Sequence, residues 1–385
     1  MNESEKKQLG EMPIRVLHVV GAMNRGGAES MLMSLYRGLD KTKTQFDFLE
    51  FTHGATDFSG EIQELGGRIL KCKWTQIPSH FRSTQKAVAQ LIRDEGPYAA
   101  VHSHTLFASG AVLNAARVAG VPVRIAHAHN TSDVGTGVAK QLYRAAARWL
   151  IRRNATARVA CSPDAGRYLF GPRFFANDGV IVPNSVDLKR FRPQAPATRE
   201  RREPTTKKVT LVSVARFEPV KNHHFLVELA EELRAREVEF VMKFVGHGSL
   251  QSAITAEIDE RDLGDRVEML GLRSDVEEIL RGSDALLMPS LWEGLPVTLV
   301  EAQATGLPCL VSEAVTRDAD LGLGLLNYLP IDSVSAWAGA IEAGFRHRPT
   351  ASEIQDALGA RGYTVEASLD KLLPLYTPGE STRTT

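Results

Sequence analysis

Short, mostly apolar runs alternate along the chain with longer segments whose apolar residues recur every three or four positions. The first run, Ile14–Val20, is typical of a strand that is buried on both faces of a sheet. In the next segment, Ala28–Leu39, the leucines and methionines fall on one helical stripe, which predicts an amphipathic helix. Repetition of strand, turn and helix in this order favours an α/β fold with a parallel sheet.

The same alternation predicts the remaining elements of the first half of the chain. Further strands are expected at Phe46–Phe51, Arg68–Lys71, Ala99–Ser103, Val123–Ala128 and Ala157–Ser162, and helices at Thr84–Glu95, Phe107–Ala119 and Val138–Arg153.

A polar, proline-containing stretch from Asp187 to Lys208 is typical of a linker, and the pattern starts again after it. We expect strands at Val209–Val214, Phe240–Val245, Val267–Leu270, Ala285–Met288 and Cys309–Val311, and helices at Asn222–Arg236, Leu250–Asp262, Asp275–Arg281 and Val297–Thr305. Two doubly wound, Rossmann-like domains are therefore predicted, at residues 12–190 and 205–362, followed by a segment 363–385 whose polar end should be disordered. Open α/β sheets bind ligands beyond the carboxyl ends of their strands, so the cleft between the two domains is the expected site.

Composition limits the kinds of partner. The 385 residues include 46 basic and 46 acidic side chains, and a net charge of zero excludes a globally basic nucleic-acid-binding protein. The charges are nevertheless segregated, because residues 1–190 hold 25 basic and 16 acidic side chains and the remainder has the opposite excess. Three scattered cysteines, a polar N-terminus and the lack of any run of 18 apolar residues indicate a cytoplasmic protein without disulfides, signal peptide or membrane span.

Two carboxylates lie eight residues apart in the segment Pro289–Ser312, Glu293 in the loop after a strand and Glu301 inside the next helix. Both should therefore lie near one strand end, where a carboxylate can accept hydrogen bonds from the adjacent hydroxyls of a ribose or hexose. Alternatively, Glu293 caps the helix and Glu301 is a solvated helix residue. The spacing alone leaves both interpretations open.

Two further loops have the composition of phosphate sites. Arg216 and Lys221 lie five residues apart before a predicted helix, and two cations beside a helix N-terminus can bind a diphosphate, although basic residues are also frequent in ordinary loops. Arg25-Gly26-Gly27 follows the first strand, and adjacent glycines permit a close approach of the backbone to a ligand. The segment lacks the G-x-G-x-x-G pattern of dinucleotide sites and is also compatible with a plain strand-to-helix turn.

Four histidines form two H-x-H pairs, His102 with His104 and His127 with His129. Residues two apart on a strand share one face, so the pairs could bind a metal ion, with Asp133 as the nearby acid. A metal-dependent hydrolase is therefore one alternative. Each histidine is otherwise explained as a polar residue at a strand end.

The segment Pro289–Ser312, with its pattern PS…EG…P…EA…A.G.P…VS, resembles the E-x7-E motif of the family 4 glycosyltransferases of the GT-B fold. The resemblance extends over nearly the whole chain. It implies that Glu293 contacts the donor sugar and Glu301 the ribose of the nucleotide. It also implies that Arg216 and Lys221 neutralise the donor diphosphate.

The remaining site residues are implied by the same resemblance. Gly26 and Gly27 should reach the donor phosphates, with Arg25 beside them, and Arg273 should lie near the nucleobase. His129 should hydrogen-bond the donor sugar, which makes it a catalytic candidate together with Glu293. His104 and Asn130, like Arg25, are candidates for the acceptor side. The segment ending at Tyr376 resembles the C-terminal helix of the family, which crosses back to the first domain.

The first half also carries a basic region. From Arg117 to Arg173 there are ten basic and two acidic residues, and Lys140, Arg144, Arg148 and Arg152 are spaced by four, which places them on one helical stripe. Such a stripe suits a surface that meets anionic lipid or a polyprenyl-diphosphate acceptor. It equally suits a solvated helix face whose apolar side packs on the sheet.

The resemblance implies a retaining, metal-independent hexosyltransferase. It would move a sugar from a nucleotide diphosphate sugar, preferably a UDP-sugar, to a glycan or lipid-linked acceptor in bacterial surface polysaccharide biosynthesis. No cofactor, metal or nucleic acid is expected, and the enzyme should be cytoplasmic and peripheral at the inner face of the membrane. A nucleotide-sugar epimerase of the same fold and the metal-dependent hydrolase are the alternatives.

Overall fold

The computed structural model describes residues 13–73, 81–130, 137–177, 179–193, 208–293, 295–345 and 347–377. Asp133, the central part of the expected linker and the end of the expected disordered tail lie outside the described residues. The chain divides into two compact units. The residues up to Ser185 form the first together with those from Gly362 onwards, and Val186–Arg361 form the second.

The described strands of the first unit form one parallel sheet. They are β1 (Ile14–Val20), β2 (Thr44–Glu50), β3 (Ile69–Lys71), β4 (Ala100–Ser103), β5 (Val123–Ala128), β6 (Ala157–Ala160) and β7 (Val180–Ile181). Their order is β3-β2-β1-β4-β5-β6-β7, so the chain first winds outwards from β1 to one side and then continues on the other. The point between β1 and β4 is thus a topological switch, where open α/β sheets bind ligands.

Helices cover both faces of this sheet. They are α1 (Gly27–Gly38), α2 (Ser59–Glu64), α3 (Phe81–Glu95), α4 (Ser109–Val118), α5 (Val138–Asn154) and α6 (Pro163–Phe170). Successive residues of β1 belong to different apolar clusters, Leu17 and Val19 to one and Val16 and Val20 to the other. Because side chains alternate across a strand, this division confirms a sheet that is buried on both faces.

The second unit repeats the plan. Its strands are β8 (Val209–Val214), β9 (Phe240–Val245), β10 (Val267–Gly271), β11 (Ala285–Met288), β12 (Cys309–Ser312) and β13 (Leu326–Leu329), in the order β10-β9-β8-β11-β12-β13. Its helices are α7 (His223–Ala235), α8 (Gln251–Glu260), α9 (Val276–Arg281), α10 (Val297–Ala304), α11 (Val334–Ala343) and α12 (Ala351–Ala360). The described strand pairs are parallel here too, and the switch point lies between β8 and β11.

The last helix, α13 (Val365–Tyr376), belongs to the first unit. It packs on α1 where that helix ends in Gly38, and a Cβ atom at this glycine would lie 2.6 Å from a methyl group of Val365. Leu369, Leu372 and Tyr376 join the apolar cluster under α1. Burial of these side chains fixes the helix to the sheet.

The predicted α/β fold is confirmed in both units. The hydrophobic pattern did not predict β7 and β13, nor the helices α2, α6, α11 and α12. β7 is only two residues long, and β13 is a half-buried edge strand whose mixed polarity gives a weak signal. The helix expected from Phe107 begins as a 3₁₀ turn, Leu106–Ala108, and is α-helical from Ser109.

Candidate active site

In the second unit, four of the predicted site residues lie in loops or a helix that follow β8 and β11. Arg216 and Lys221 follow β8, Glu293 follows β11, and Glu301 lies in the second turn of α10. These strands are neighbours in the sheet and flank its switch point. Parallel strands place their carboxyl ends at one edge, so the fold brings the loops of all four residues to the same edge.

Two glycines hold the loop that carries Arg216. A Cβ atom on Gly246, whose φ is +143°, would overlap the carbonyl oxygen of Ala215, and one on Gly248 would lie 2.5 Å from the carbonyl oxygen of Phe217. The Phe217 N–H donates to the His247 carbonyl at 3.1 Å, so the loops after β8 and β9 are joined. The backbones approach so closely that larger residues have no space. Arg216 itself is exposed and, within the described chain, its guanidinium makes no ion pair.

Lys221 and Glu293 form an ion pair, although they are 72 residues apart in the sequence. The Lys221 Nζ lies 2.5 Å from the Glu293 Oε1, and the two side chains are only 19% and 11% exposed. Ser290 donates its hydroxyl to the same carboxylate oxygen at 2.8 Å. The structure thus joins two residues to which the family resemblance gives different roles, the diphosphate and the sugar.

Backbone contacts hold the two loops together around this pair. The Leu291 N–H donates to the Val220 carbonyl at 2.8 Å, and the Asn222 amide donates to the Pro289 carbonyl at 3.2 Å. Asn222 has a left-handed conformation, with φ of 55°, between the 3₁₀ turn Pro219–Lys221 and α7. Asparagine tolerates this conformation better than most residues. The chain therefore reaches α7 with Lys221 turned towards Glu293.

Glu301 is half-buried, and no hydrogen bond fixes its carboxyl group within the described part of the chain. Burial raises the pKa of this carboxyl to about 7, which nearby Glu277 favours and Arg190 opposes. Arg190 and Glu277 are themselves paired, with 2.7 Å between the Arg190 Nη2 and the Glu277 Oε2. Desolvation disfavours the charged carboxylate, and a single guanidinium that already serves Glu277 does not fully compensate.

The sequence patterns did not identify Arg190, Glu277 and Ser290 as neighbours of the site. Arg190 lies in the segment interpreted as a linker, and its contact with Glu277 spans 87 residues. Ser290 lies two residues beyond the end of β11, and its position three residues before Glu293 was the signal available in the sequence. Arg273, expected near the nucleobase, follows β10 and makes a bidentate pair with Asp275 at 2.8 and 2.7 Å.

In the first unit, the Arg25-Gly26-Gly27 segment leads from β1 into α1. Gly26 caps the helix with extended backbone and Gly27 is its first residue. The Arg25 N–H donates to Asp57 at 2.9 Å, and its guanidinium lies 5.3 Å from the centre of the Phe58 ring. The helix N-terminus leaves backbone N–H groups without helical partners, which is suited to an anion.

Five histidines gather at the adjoining strand ends. They are His18 on β1, His102 on β4, His104 after β4, His127 on β5 and His129 after β5. One chain of ring nitrogens joins His18, His104 and His129, with N–N distances of 3.1 and 2.8 Å. A second chain joins the Tyr376 hydroxyl, His102 and His127, at 3.0 and 3.2 Å. Asn130 is exposed at the end of the same loop.

Burial is the main reason why these histidines are neutral. It lowers the pKa of His18 to about 3 and that of His129 to about 4. The pKa values of the other three are also far below the ordinary value, because burial combines with the proximity of neighbouring imidazoles. Asp47 opposes the shift of His18 and the Asn184 side chain that of His129.

The H-x-H pairs do come together, and two groups have the geometry of a metal site within the described chain. In His18, His102 and His104, and again in His104, His127 and His129, one nitrogen of each ring lies within 4.8 Å of the others. Several of the same nitrogens already share hydrogen bonds with one another. The cluster is therefore a hydrogen-bonded network of neutral rings, in which His18 Nε2, His127 Nε2 and His129 Nδ1 have no hydrogen-bond partner among the described residues.

The orientation of α5 corrects the expected basic stripe. Arg144 and Arg148 are half-buried, and their guanidinium groups lie 5.8 and 5.3 Å from the centre of the Phe107 ring. Val138, Leu142 and Trp149 are instead 75%, 67% and 54% exposed. Residues spaced by four share a stripe, but the aromatic partners turn its middle part, Arg144 and Arg148, inwards, whereas Arg152 is exposed. An apolar face is left in water. No helix among the described residues is long and apolar enough to cross a bilayer.

The two units and their loops define a GT-B glycosyltransferase fold, and solved enzymes share it. HepE of Anabaena, in complex with UDP, aligns over 94% of this chain and 99% of its own, with a TM-score of 0.72 and 18% identity. The lipopolysaccharide outer core galactosyltransferase WaaB aligns over 94% and 99%, with a TM-score of 0.61 and 17% identity. At these identities the likeness establishes the fold.

Sequence similarity identifies the family. The profile described as Glycosyl transferases group 1 matches residues 195–317, and the Glycosyl transferase 4-like domain matches residues 26–185. EpsF of Bacillus subtilis, described as a candidate glycosyltransferase, is 41% identical over 98% of this chain and 97% of its own. The chain therefore belongs to the group 1 glycosyltransferases of family 4 and is a glycosyltransferase. An Escherichia coli relative, UDP-Gal:alpha-D-GlcNAc-diphosphoundecaprenol alpha-1,3-galactosyltransferase, is 29% identical over 56% of this chain and 58% of its own. These relatives favour neither the epimerase nor the metal-dependent hydrolase.

Proposed function

We propose that the enzyme transfers a hexose from a UDP-sugar to a glycan or lipid-linked acceptor in polysaccharide biosynthesis, with retention of configuration and without a metal ion. HepE was solved with UDP and with UDP-glucose, which supports a uridine nucleotide. The name of the Escherichia coli relative specifies both UDP-Gal and a diphosphoundecaprenol acceptor. CapH of Staphylococcus aureus, 24% identical over 75% of this chain, is named for capsular polysaccharide biosynthesis.

The observation that carries the proposal is the Lys221–Glu293 pair at the carboxyl edge of the second sheet. It holds a cationic and an anionic group side by side, which supports a site where the diphosphate and the sugar of one donor would meet. Lys221 and the exposed Arg216 would stabilise the charge that develops on the leaving diphosphate. Two fixed cations can take the place of a divalent metal ion, which is why we propose transfer without metal. Glu293 would accept hydrogen bonds from sugar hydroxyls and orient the donor.

The proposed transfer is a substitution in which the acceptor enters on the same face of the sugar ring that the UDP leaves, and its atoms and charges balance. The bond between the anomeric carbon and the diphosphate oxygen breaks, and its electron pair leaves with the UDP. The acceptor oxygen forms the new bond on the face that the UDP leaves, and its proton passes to a phosphate oxygen of the UDP. Catalysis by this chain would then consist of positioning and electrostatic stabilisation, with no covalent enzyme intermediate.

Two further contacts complete the proposal. Glu301 in its ionised form would accept hydrogen bonds from the ribose hydroxyls of the nucleotide. On the first unit, the apolar face of α5, formed by Val138, Leu142 and Trp149, would meet an anionic membrane together with the exposed Arg152 and Arg153. Aromatic and arginine side chains on one exposed helix suit the interface of an anionic bilayer. A lipid-linked acceptor would be presented at such a surface.

The test is a panel of UDP, GDP, ADP and their glucose conjugates in thermal unfolding, followed by transfer assays with and without EDTA. We expect UDP compounds to raise the melting temperature most, since a ligand that binds only the folded state stabilises it. Transfer should persist in EDTA, and the product should retain the anomeric configuration of the donor. Stabilisation by another nucleotide alone would overturn the UDP assignment. Activity that is lost in EDTA and restored by Mg²⁺ or Mn²⁺ would overturn metal independence.

A further inference from the structure

A buried carboxylate holds the loop that leads from β1 to α1. Glu50 is the last residue of β2 and is fully buried. Its Oε1 accepts the Met23 N–H at 2.7 Å and the Thr56 hydroxyl at 2.8 Å. Met23 lies shortly before the Arg25-Gly26-Gly27 segment in the sequence. The carboxylate therefore holds the backbone of this loop close to the glycine pair.

Neighbouring strands set the position of the carboxylate. In the parallel sheet Glu50 lies beside Val20 of β1 on one side and beside Lys71 of β3 on the other. The Lys71 ammonium forms an ion pair with the Glu50 Oε2. The two carboxylate oxygens thus have different partners, since Oε1 accepts from the loop and Oε2 pairs with the cation.

Further hydrogen bonds join the same loop to the segment after β2. The Phe58 N–H donates to the Met23 carbonyl at 3.1 Å. The Asp57 N–H donates to the Asn24 side-chain oxygen at 3.1 Å, and the Asp57 carboxylate accepts the Arg25 N–H at 2.9 Å. The path of the chain into α1 is therefore set by β2 and by the residues that follow it.

Stability alone does not account for the ion pair of Glu50 with Lys71. Taking a carboxylate and an ammonium out of water costs free energy that their attraction repays only in part, and apolar residues in their place are often as stable. What a carboxylate oxygen adds is direction, because a hydrogen bond fixes the distance and the angle of an N–H group. The position of the loop is therefore the better explanation for Glu50.

We propose that Glu50 is a positioning residue, whose hydrogen bond to the Met23 N–H holds Gly26 and Gly27 where they reach the donor phosphates. This role rests on the proposed function, and on the contact of these glycines with the donor phosphates that the family resemblance implies. Lys71 neutralises the carboxylate, so that its charge does not repel the phosphates. Glu50 itself is fully buried and does not touch the donor.

Two variants separate the hydrogen bond from the charge. Glu50→Leu removes both and leaves the Met23 N–H without this acceptor. The double variant Glu50→Gln with Lys71→Met removes the ion pair, but the amide oxygen of glutamine still accepts from Met23. Glu61→Leu is the matched control, because it breaks an ion pair between α2 and Arg37 in the last turn of α1. That pair lies at the other end of α1 from the glycine pair.

Hydrogen exchange reports the position of the loop. We expect the peptide that contains Met23 and Arg25 to exchange faster in Glu50→Leu than in the wild type, because the loop opens more often. The double variant and Glu61→Leu should exchange like the wild type.

Ligand titration reports the use of the loop. In Glu50→Leu the Kd of UDP-glucose should rise about 10–100-fold, since displaced N–H groups lose their hydrogen bonds to a charged group. The Kd of uridine, which has no phosphate, should stay unchanged. A general loss of stability would not distinguish these two ligands. The double variant and Glu61→Leu should bind both ligands like the wild type.

Wild-type exchange in Glu50→Leu would overturn the positioning role, and so would faster exchange with normal binding of UDP-glucose. An equal loss in the double variant would also overturn it, because the charge and not the hydrogen bond would then matter. The same selective loss in Glu61→Leu would show that any broken ion pair has this effect.

If Glu50→Leu does not fold, Glu50→Asp decides. It keeps the charge beside Lys71 but is one methylene shorter, so it should lose the Met23 contact and behave as expected for Glu50→Leu. Wild-type exchange and affinity in Glu50→Asp would overturn the role. Failure of the UDP assignment would appear separately, as wild-type protein that neither UDP nor UDP-glucose stabilises.

Discussion

Lys221 and Glu293 are paired at 2.5 Å across two loops of the second unit, and Ser290 donates to the same carboxylate. Neither side chain is free in water, since both are four-fifths or more buried. A donor that enters this site must therefore either use the pair as it is or exchange part of it for its own contacts. In both cases the two residues act as a unit.

The first prediction concerns this unit. Glu293→Ala should abolish transfer while the fold is kept, and Lys221→Met should weaken UDP binding as well as lower kcat, because it removes a charge next to the diphosphate. In a double-mutant cycle the two effects should be far from additive, as for contacting residues in general. Steady-state kinetics and UDP titration measure both. Arg236→Met, which removes a paired cation after the far end of α7, is the control and should leave kcat unchanged.

Normal transfer by Glu293→Ala would contradict the assignment of the site. So would strictly additive effects, which would mean that Lys221 and Glu293 do not act together. If Lys221→Met binds UDP normally and loses only kcat, Lys221 stabilises the transition state and does not contribute to binding in the ground state.

The second prediction concerns pH. The pKa of Glu301 is raised to about 7 by burial, so the carboxyl gains a proton as the pH falls through 7. Ionised Glu301 is the proposed acceptor for the ribose hydroxyls, so the Kd of UDP-glucose should rise below pH 7, by at most about tenfold per pH unit. UDP-glucose is the probe because its diphosphate has no terminal phosphate that titrates nearby. Calorimetric titration between pH 6 and 8 measures the effect.

The control for this prediction is Glu301→Gln, which cannot titrate. It should bind more weakly at pH 8 and show a nearly flat Kd across the same range. A flat profile in the wild type, or an equal slope in Glu301→Gln, would exclude Glu301 as the titrating group.

Much of the fold follows from local patterns, whereas the contacts in the site do not. Apolar runs such as Ile14–Val20 predict strands because both faces of a parallel sheet are buried. The Lys221–Glu293 pair could not be predicted from spacing, because it depends on how β8 and β11 lie side by side. For the same reason the H-x-H pairs indicated a shared face but not His18, which joins them from β1.

The orientation of the α5 helix shows a different limit of prediction from the sequence. Spacing by four correctly places Arg144 and Arg148 on one stripe, but it does not say which way that stripe faces. The side chains of Phe107 and Tyr168, from other elements, accept the guanidinium groups and decide the direction. The exposed apolar face could thus be found only in the structure.

The third prediction uses Gly248. Gly248→Ala would bring a methyl group to 2.5 Å from the Phe217 carbonyl oxygen, so the loop that carries Arg216 must shift. We expect a loss of about 1–3 kcal/mol in the free energy of unfolding, typical of overpacking, and weaker UDP binding. Gly264→Ala is the control, because a Cβ atom there meets no atom within 4 Å. Denaturant unfolding and UDP titration compare Gly248→Ala with Gly264→Ala. Equal stability and equal UDP affinity of the two variants would contradict the close packing of Gly248 against Phe217.

The fourth prediction concerns the apolar face of α5. Leu142→Ser and Trp149→Ser should each weaken binding to vesicles that contain anionic lipid, by roughly 10–150-fold, since each removes about 1.5–3 kcal/mol of apolar burial. Val118→Ser, at an exposed position on the neighbouring helix α4, is the control. Vesicle co-sedimentation measures the affinities. Unchanged binding in both α5 variants, or equal losses in all three, would refute this face as the membrane contact.

The fifth prediction is steep acid sensitivity of the first unit. His18 and His129 have pKa values of about 3 and 4 in the folded protein, and those of His102, His104 and His127 are also far below the unfolded value of about 6.5. The unfolded chain therefore binds more protons than the folded one once the pH falls below 6.5. The histidines contribute their full stability above that value, and this contribution is lost towards pH 4, by up to about 1.4 kcal/mol per pH unit for each histidine.

Urea unfolding at pH 7.5, 6.5 and 5.5 measures the slope of the free energy of unfolding against pH. His127→Phe should reduce it by about one proton. A slope of zero in the wild type would show that the five rings do not stay neutral in the folded protein.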